Sequence, residues 1–165
     1  MNRVLIPFLA VLGCLVFLDP AHGRFFTDVT TSLNLDVPGD VERVSWVDVD
    51  GDGDLDLYVS VRGRPDVLFL NNGVVFTRTS LGSLVVGQTG IAWGDFDLDG
   101  RLDLFSADTT ASGLFRNSGG GVFSNTIAGS GIASAGWRGD AQWIDYDNDL
   151  DLDLTLIDTA GVVAL

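Results

Sequence analysis

Lysine is missing altogether from this 165-residue chain, and histidine and cysteine occur once each, as His22 and Cys14. Arginine therefore carries all nine positive charges, against 23 acidic residues and a formal charge of −14. Nucleic acid and anionic membranes need a basic footprint, so both are excluded as partners. His22 and Cys14 both fall within the first 23 residues. The remainder has no imidazole, thiol or lysine amine for acid–base or nucleophilic catalysis, and no disulfide. Helical spacing of apolar residues is also absent beyond that point. Disorder is excluded in turn, because 46% of the residues are hydrophobic and they are patterned.

The first 23 residues differ from the rest. Arg3 leads into an apolar run from Val4 to Leu18, interrupted by Pro7, and then "DPAHG". The run is short for a bilayer span, and Ala21 and Gly23 fit a small-x-small cleavage site, so residues 1–23 read as a secretory signal peptide. Cleavage after Gly23 leaves 24–165 as one domain with no membrane span, large enough to bury a core. That places it outside the cell, or in the periplasm or on the surface of a bacterium. "VLGC" loosely resembles a lipobox with Cys14 as lipid anchor, yet the apolar run continues through Leu15–Leu18, so the anchor is set aside. An extracellular domain without disulfides needs another staple.

What is abundant is aspartate in a repeating frame. Fourteen of the acidic residues lie in three runs, 48–56, 95–103 and 145–153. "WVDVDGDGDLDLYVS", "WGDFDLDGRLDLFSA" and "WIDYDNDLDLDLTLI" align, with Trp46, Trp93 and Trp143 each two residues before the first aspartate. Those aspartates are 47 and 50 residues apart. "LFLNNGVVF" and "LFRNSGGGVF" continue the match, and Phe76 and Phe123 each stand 28 residues after their own first aspartate. Inside each unit the period is two: Leu55, Leu57, Val59 and Val61 point one way, Asp56, Tyr58 and Ser60 the other. "NNG" and "NSGG" read as hairpin turns.

The expected fold is all-β: a partial β-propeller of about three four-stranded antiparallel blades, with an aspartate loop between the first two strands of each. Units begin near 46, 93 and 143, the last incomplete. "FFTDVT" reads as the outer strand of a preceding blade, because Phe26 precedes Asp48 by the 22 residues that separate Phe123 from Asp145. Closing a ring then calls for blades from a longer chain or from other copies.

The runs fit D-x-D-x-D-G-x-x-D, a pattern that delivers oxygens to Ca²⁺ from side chains at positions 1, 3, 5 and 9 and from the carbonyl at 7. Loop 1 supplies Asp48, Asp50, Asp52, the Asp54 carbonyl and Asp56, with Gly53 at position 6. Loop 2 supplies Asp95, Asp97, Asp99, the Arg101 carbonyl and Asp103, with Gly100. Loop 3 supplies Asp145, Asp147, Asp149, the Asp151 carbonyl and Asp153, but Leu150 stands where glycine belongs, which predicts a weaker third site. An EF-hand is excluded, since position 12 is Val59, Ser106 or Leu156 rather than glutamate and the flanks alternate as strands. Mg²⁺ keeps its waters and suits such a cage poorly.

These residues resemble the FG-GAP/VCBS repeat of integrin α-chain propellers and many secreted bacterial proteins; "FTDVT", "W-x-D-x-D-x-D-G-x-L-D-L" and "LF-x-N-x-G" are most similar to the cartilage acidic protein-like group. The resemblance implies a calcium-stiffened extracellular propeller for adhesion or scaffolding, with a protein or glycan partner. It carries the calcium role onto the loop positions named above. After the loops this chain has "VSV", "SAD" and "LID" in place of the family's "GAP", so the resemblance does not extend to an integrin-like ligand role. The competing class is a part, catalytic or not, of a secreted polysaccharide-active lyase or hydrolase, working through a carboxylate pair or Ca²⁺. The aspartates are largely committed to coordination, which favours the non-catalytic reading. "RGD" at 138–140 is a chance tripeptide ahead of Trp143, and the tryptophan series reads as core packing before a sugar platform.

Overall fold

A computed structural model describes residues 10–11, 14–15, 26–81, 90–133, 135–137, 139–158 and 161–164. Nearly all of the expected signal peptide, His22 within it, and Arg138 of "RGD" lie outside the described residues. The described residues contain strands and turns and no helix.

Two compact units divide the chain at Pro38. The N-terminal unit holds three two-residue strands, β1 (Ala10–Val11), β2 (Cys14–Leu15) and β3 (Thr27–Asp28), in the order β1-β2-β3. "FFTDVT" was expected to be the outer strand of a blade, but its strand β3 pairs antiparallel with β2, Cys14 against Asp28. β1 and β2 lie within the expected signal peptide, so this pairing belongs to the uncleaved chain.

The second unit, Gly39–Leu165, is the repeat. Blade 1 comprises β4 (Val41–Val47), β5 (Asp56–Val61), β6 (Val67–Asn71) and β7 (Phe76–Ser80). Blade 2 comprises β8 (Gly90–Gly94), β9 (Asp103–Ala107), β10 (Gly113–Asn117) and β11 (Phe123–Asn125). A third sheet contains β12 (Ala141–Ile144), β13 (Asp153–Ile157) and β14 (Val162–Ala164). Each is an antiparallel meander in chain order, and each aspartate loop joins the first two strands of its sheet, as expected. Trp46, Trp93 and Trp143 sit at one register position, opposite Leu57, Leu104 and Leu154.

The alternation holds, but it does not separate core from solvent. Every residue of β5 and β9 is buried, because an inner strand of a blade has protein on both faces. In β9, Leu104 packs toward blade 1 with Val47, Tyr58 and Leu68, while Phe105 packs toward the third sheet with Leu154 and Leu156. The core is thus two slabs between successive sheets. Each fully buried Phe or Leu in them contributes about 1.5–3 kcal/mol of apolar burial.

The tryptophans join the slabs. Trp93 packs edge-on to Tyr58 at 5.6 Å and donates its indole N–H to Ser45 Oγ at 2.9 Å. Trp143 lies against Phe96 and Phe105 and donates to the Ala92 carbonyl at 3.3 Å. Gly94 makes this approach possible, since a β-carbon there would come within 2.6 Å of the Trp143 ring. Trp93 and Trp143 are therefore inter-blade packing residues, and Trp46 contacts Phe76 within its own blade.

Candidate metal centre

The three loops fold through one hydrogen-bond scheme. The position 1 carboxylate turns inward and accepts loop amides: Asp48 from Gly51 and Gly53 at 2.9 and 3.1 Å, Asp95 from Asp99 and Gly100 at 3.0 and 2.8 Å, Asp145 from Asp149 and Leu150, both at 3.2 Å. Position 5 accepts from the amide at 7, in Asp52, Asp99 and Asp149. Position 9 accepts from the amide at position 2: Val49 to Asp56 at 2.8 Å, Phe96 to Asp103 at 3.1 Å, Tyr146 to Asp153 at 3.0 Å. Alternate aspartates are required because each side chain must reach back over a tight, wound backbone.

This winding needs left-handed backbone. Position 6 has φ of 91° at Gly53, 85° at Gly100 and 79° at Leu150, so leucine adopts in loop 3 what glycine adopts in the others. Position 4 is also left-handed, in Gly51, Leu98 and Asn148, a requirement the sequence pattern did not reveal. Leu150 is 80% exposed, so no packing offsets its strain. Leu150→Gly is expected to stabilise the metal-free protein by about 1 kcal/mol, raising Tm by about 3 °C in thermal unfolding.

Carboxylate oxygens converge in every loop. In loop 1 those of Asp48, Asp50 and Asp56 lie within 4.8 Å of one another, and in loop 3 those of Asp145, Asp147 and Asp153 do so. These are positions 1, 3 and 9. In loop 2 the convergent set is Asp95, Asp97 and Asp99, positions 1, 3 and 5. Asp52 and Asp149 hold loop amides outside the convergent sets, and the Asp54 carboxylate lies against Gly73 in the β6–β7 turn. The side chains of Arg101 and Asp151 are not in a set either, which suits position 7, where the pattern asks for a main-chain oxygen.

Burial and like charge together move the proton equilibria of the loops. Burial pushes the fully buried Asp56 above the ordinary carboxylate value of 3.8; the Asn71 and Val49 amides oppose this, and the charges of Asp50 and Asp48 add to it. Asp103 is raised in the same way, by burial first, with Asp97 and Asp99 adding. In loop 3, desolvation and then the charges of Asp149 and Asp153 raise Asp147, and Asp151 is raised by its hydrogen bond with Asp149. Asp97 goes the other way, held low by hydrogen bonding to Arg116.

Two asparagines escaped the sequence reading, which took "NNG" and "NSGG" as turns only. Asn71 and Asn117 close their loops by donating backbone N–H to Asp56 and Asp103, at 2.8 and 2.7 Å. Their side-chain amides donate to the Leu55 and Leu102 carbonyls, both at 3.0 Å. The Asn117 amide also reaches the Val49 carbonyl of loop 1 at 2.7 Å, tying one blade's loop to the next. Their common place in "LF-x-N" was the available signal.

An all-oxygen set of convergent carboxylates, which in loop 1 includes the fully buried Asp56, fits a hard divalent cation. No curated protein matches the chain. The FG-GAP-like repeat family matches it twice, over residues 48–106 and 95–155. Both matches begin on a position 1 aspartate and end within the second strand of the following unit, so the family's frame is the frame of the loops. The chain is a β-propeller repeat protein that belongs to the FG-GAP-like repeat family.

Proposed function

We propose that this chain is a secreted, non-catalytic module whose loops bind Ca²⁺, and that the ion-stiffened blades present a surface for adhesion or scaffolding to an extracellular protein or glycan. The observation that carries the reading is the recurrence of three convergent carboxylates at the same place in three successive sheets. One such cluster on a surface is common without an ion. Three in successive units, each wound around an inward position 1 aspartate, gather like charges that a bound cation would relieve.

Asp48, Asp50 and Asp56 would hold one ion, Asp145, Asp147 and Asp153 another, and Asp95, Asp97 and Asp99 the donors of loop 2. Bound Ca²⁺ supplies charge neutralisation and a rigid link across the loop; the protein's share is to hold the oxygens in place. Carboxylates occupied by backbone amides are poor general bases, which supports a non-catalytic role.

Calcium should stabilise the fold. Extracellular sites bind at about 10⁻⁴–10⁻³ M, so 10 mM Ca²⁺ adds about 1.4–2.7 kcal/mol per site and about 3–5 kcal/mol for two. Thermal unfolding with and without EDTA is expected to show Tm roughly 10 °C higher in calcium, with calorimetry recording uptake. A Tm and a heat trace indifferent to calcium would remove the reading.

A further inference from the structure

Loop 2 differs from its neighbours in carrying its own cations. Arg101 and Arg116 both hydrogen-bond to Asp99 Oδ2, Arg116 through Nη2 at 2.8 Å. Arg116 also bonds to Asp97, and Arg101 Nε reaches the Asn117 carbonyl at 2.9 Å. Asp97 and Asp99 are two of the three convergent residues. In blade 1 the corresponding positions are Asp54 and Leu70, neither of them cationic. Four carboxylates, Arg101 within the loop and Arg116 above it sum to −2, whereas among the described residues no arginine ion-pairs with the five aspartates of loop 1 or the five of loop 3.

We propose that loop 2 is a self-neutralised site: its two guanidiniums hold it wound without metal, and Arg116 sets its calcium affinity by occupying oxygens that the ion needs. The inference rests on the calcium reading above and deepens it. Ca²⁺ affinity in acidic loops follows ligand charge and rigidity. The ion must displace Arg116 from Asp97 and Asp99, losing charge-assisted hydrogen bonds, and it enters a loop that is already half neutralised. The change in the convergent set, from positions 1, 3 and 9 to 1, 3 and 5, follows the grip of both arginines on Asp99. Loop 1, with glycine at position 6 and no guanidinium on its carboxylates, then responds to calcium first, and loop 2 responds only at higher concentration.

Gly53 and Gly100 are built-in reporters, since each donates its amide to the position 1 carboxylate of its own loop. A calcium titration of the full chain followed by amide NMR is expected to show the Gly53 midpoint about tenfold below that of Gly100. In Arg116→Leu, the residue blade 1 uses, the Gly100 midpoint should fall about tenfold while that of Gly53 stays put. Arg116→Gln is the second variant, should leucine perturb β10. Without metal, hydrogen exchange at Gly100 should be slower than at Gly53, and that protection should be lost in both variants. Coincident midpoints in the parent, or a Gly100 midpoint indifferent to both substitutions, overturn this inference alone. A Gly53 resonance that never moves overturns the calcium reading, and this inference falls with it.

Discussion

Asp103→Ala is expected to destabilise the protein by about 3 kcal/mol without metal and about 5 kcal/mol in saturating calcium. Two effects compete. The carboxylate is fully buried and accepts the backbone amides of Asn117 and Phe96, so alanine leaves two donors without a partner inside the blade. Each orphaned amide costs about 1–3 kcal/mol. Against this, burial and the charges of Asp97 and Asp99 push Asp103 above its ordinary pKa, so its removal relieves some repulsion. The orphaned amides win, because Arg101 and Arg116 already absorb part of the charge. Calcium removes the repulsion and with it the compensation, so the cost rises when the ion is present. Asp103→Asn separates the two contributions, since it keeps an acceptor and drops the charge, and it should lose less than alanine in EDTA. Urea unfolding of the three proteins in EDTA and in calcium is the measurement. An alanine cost below about 1 kcal/mol in both buffers would mean the carboxylate is no staple.

What the sequence made legible was local and periodic. The aspartate frame, the strand alternation and the turn before each phenylalanine repeat three or two times, and each can be read within about a dozen residues. The sheets, their order and the placement of the loops followed from them. The strain at Leu150 was legible too, since one missing glycine in an aligned position is visible without a structure. Hidden features depend on partners far along the chain. Arg116 lies 19 residues from Asp97, in a strand whose neighbours in sequence are uncharged, and only the β9–β10 hairpin brings it over the loop. Leu98 conceals the left-handed position 4 that Gly51 and Asn148 hint at. The burial of Tyr58, on the strand face opposite Leu57 and Val59, came from a neighbouring sheet, which no single-strand pattern encodes. In the N-terminal unit, the 22-residue spacing of "FFTDVT" predicts a blade edge, whereas its backbone pairs with β2.

Asn117→Leu is expected to cost about 3–5 kcal/mol, more than its counterpart in blade 1, and the difference isolates the bond between loops. Asn117 is fully buried; its amide donates to the Val49 and Leu102 carbonyls, and its oxygen accepts from Gly119 at 2.8 Å. Leucine matches the volume but leaves three backbone groups unmatched, each at about 1–3 kcal/mol, less where water reaches them. Among the described residues the Asn71 side chain makes two bonds, both within its own blade, to Leu55 and Gly73, and it is partly exposed, so Asn71→Leu should cost about 1–2 kcal/mol. Asn117→Asp is the sharper probe, because an acceptor-only side chain would face two carbonyls and should be worse than leucine. The consequence reaches loop 1: Val49, held by Asn117 through its carbonyl, donates its own amide to Asp56, a member of the convergent set. Releasing Val49 should loosen Asp56 and weaken calcium binding at loop 1 by about tenfold, although no group in blade 1 is altered. Chemical unfolding gives the first number and a calcium titration of the Gly53 amide the second. Equal costs for Asn71→Leu and Asn117→Leu would show that the two blades fold without this bond, and an unchanged Gly53 midpoint would show that their loops bind independently.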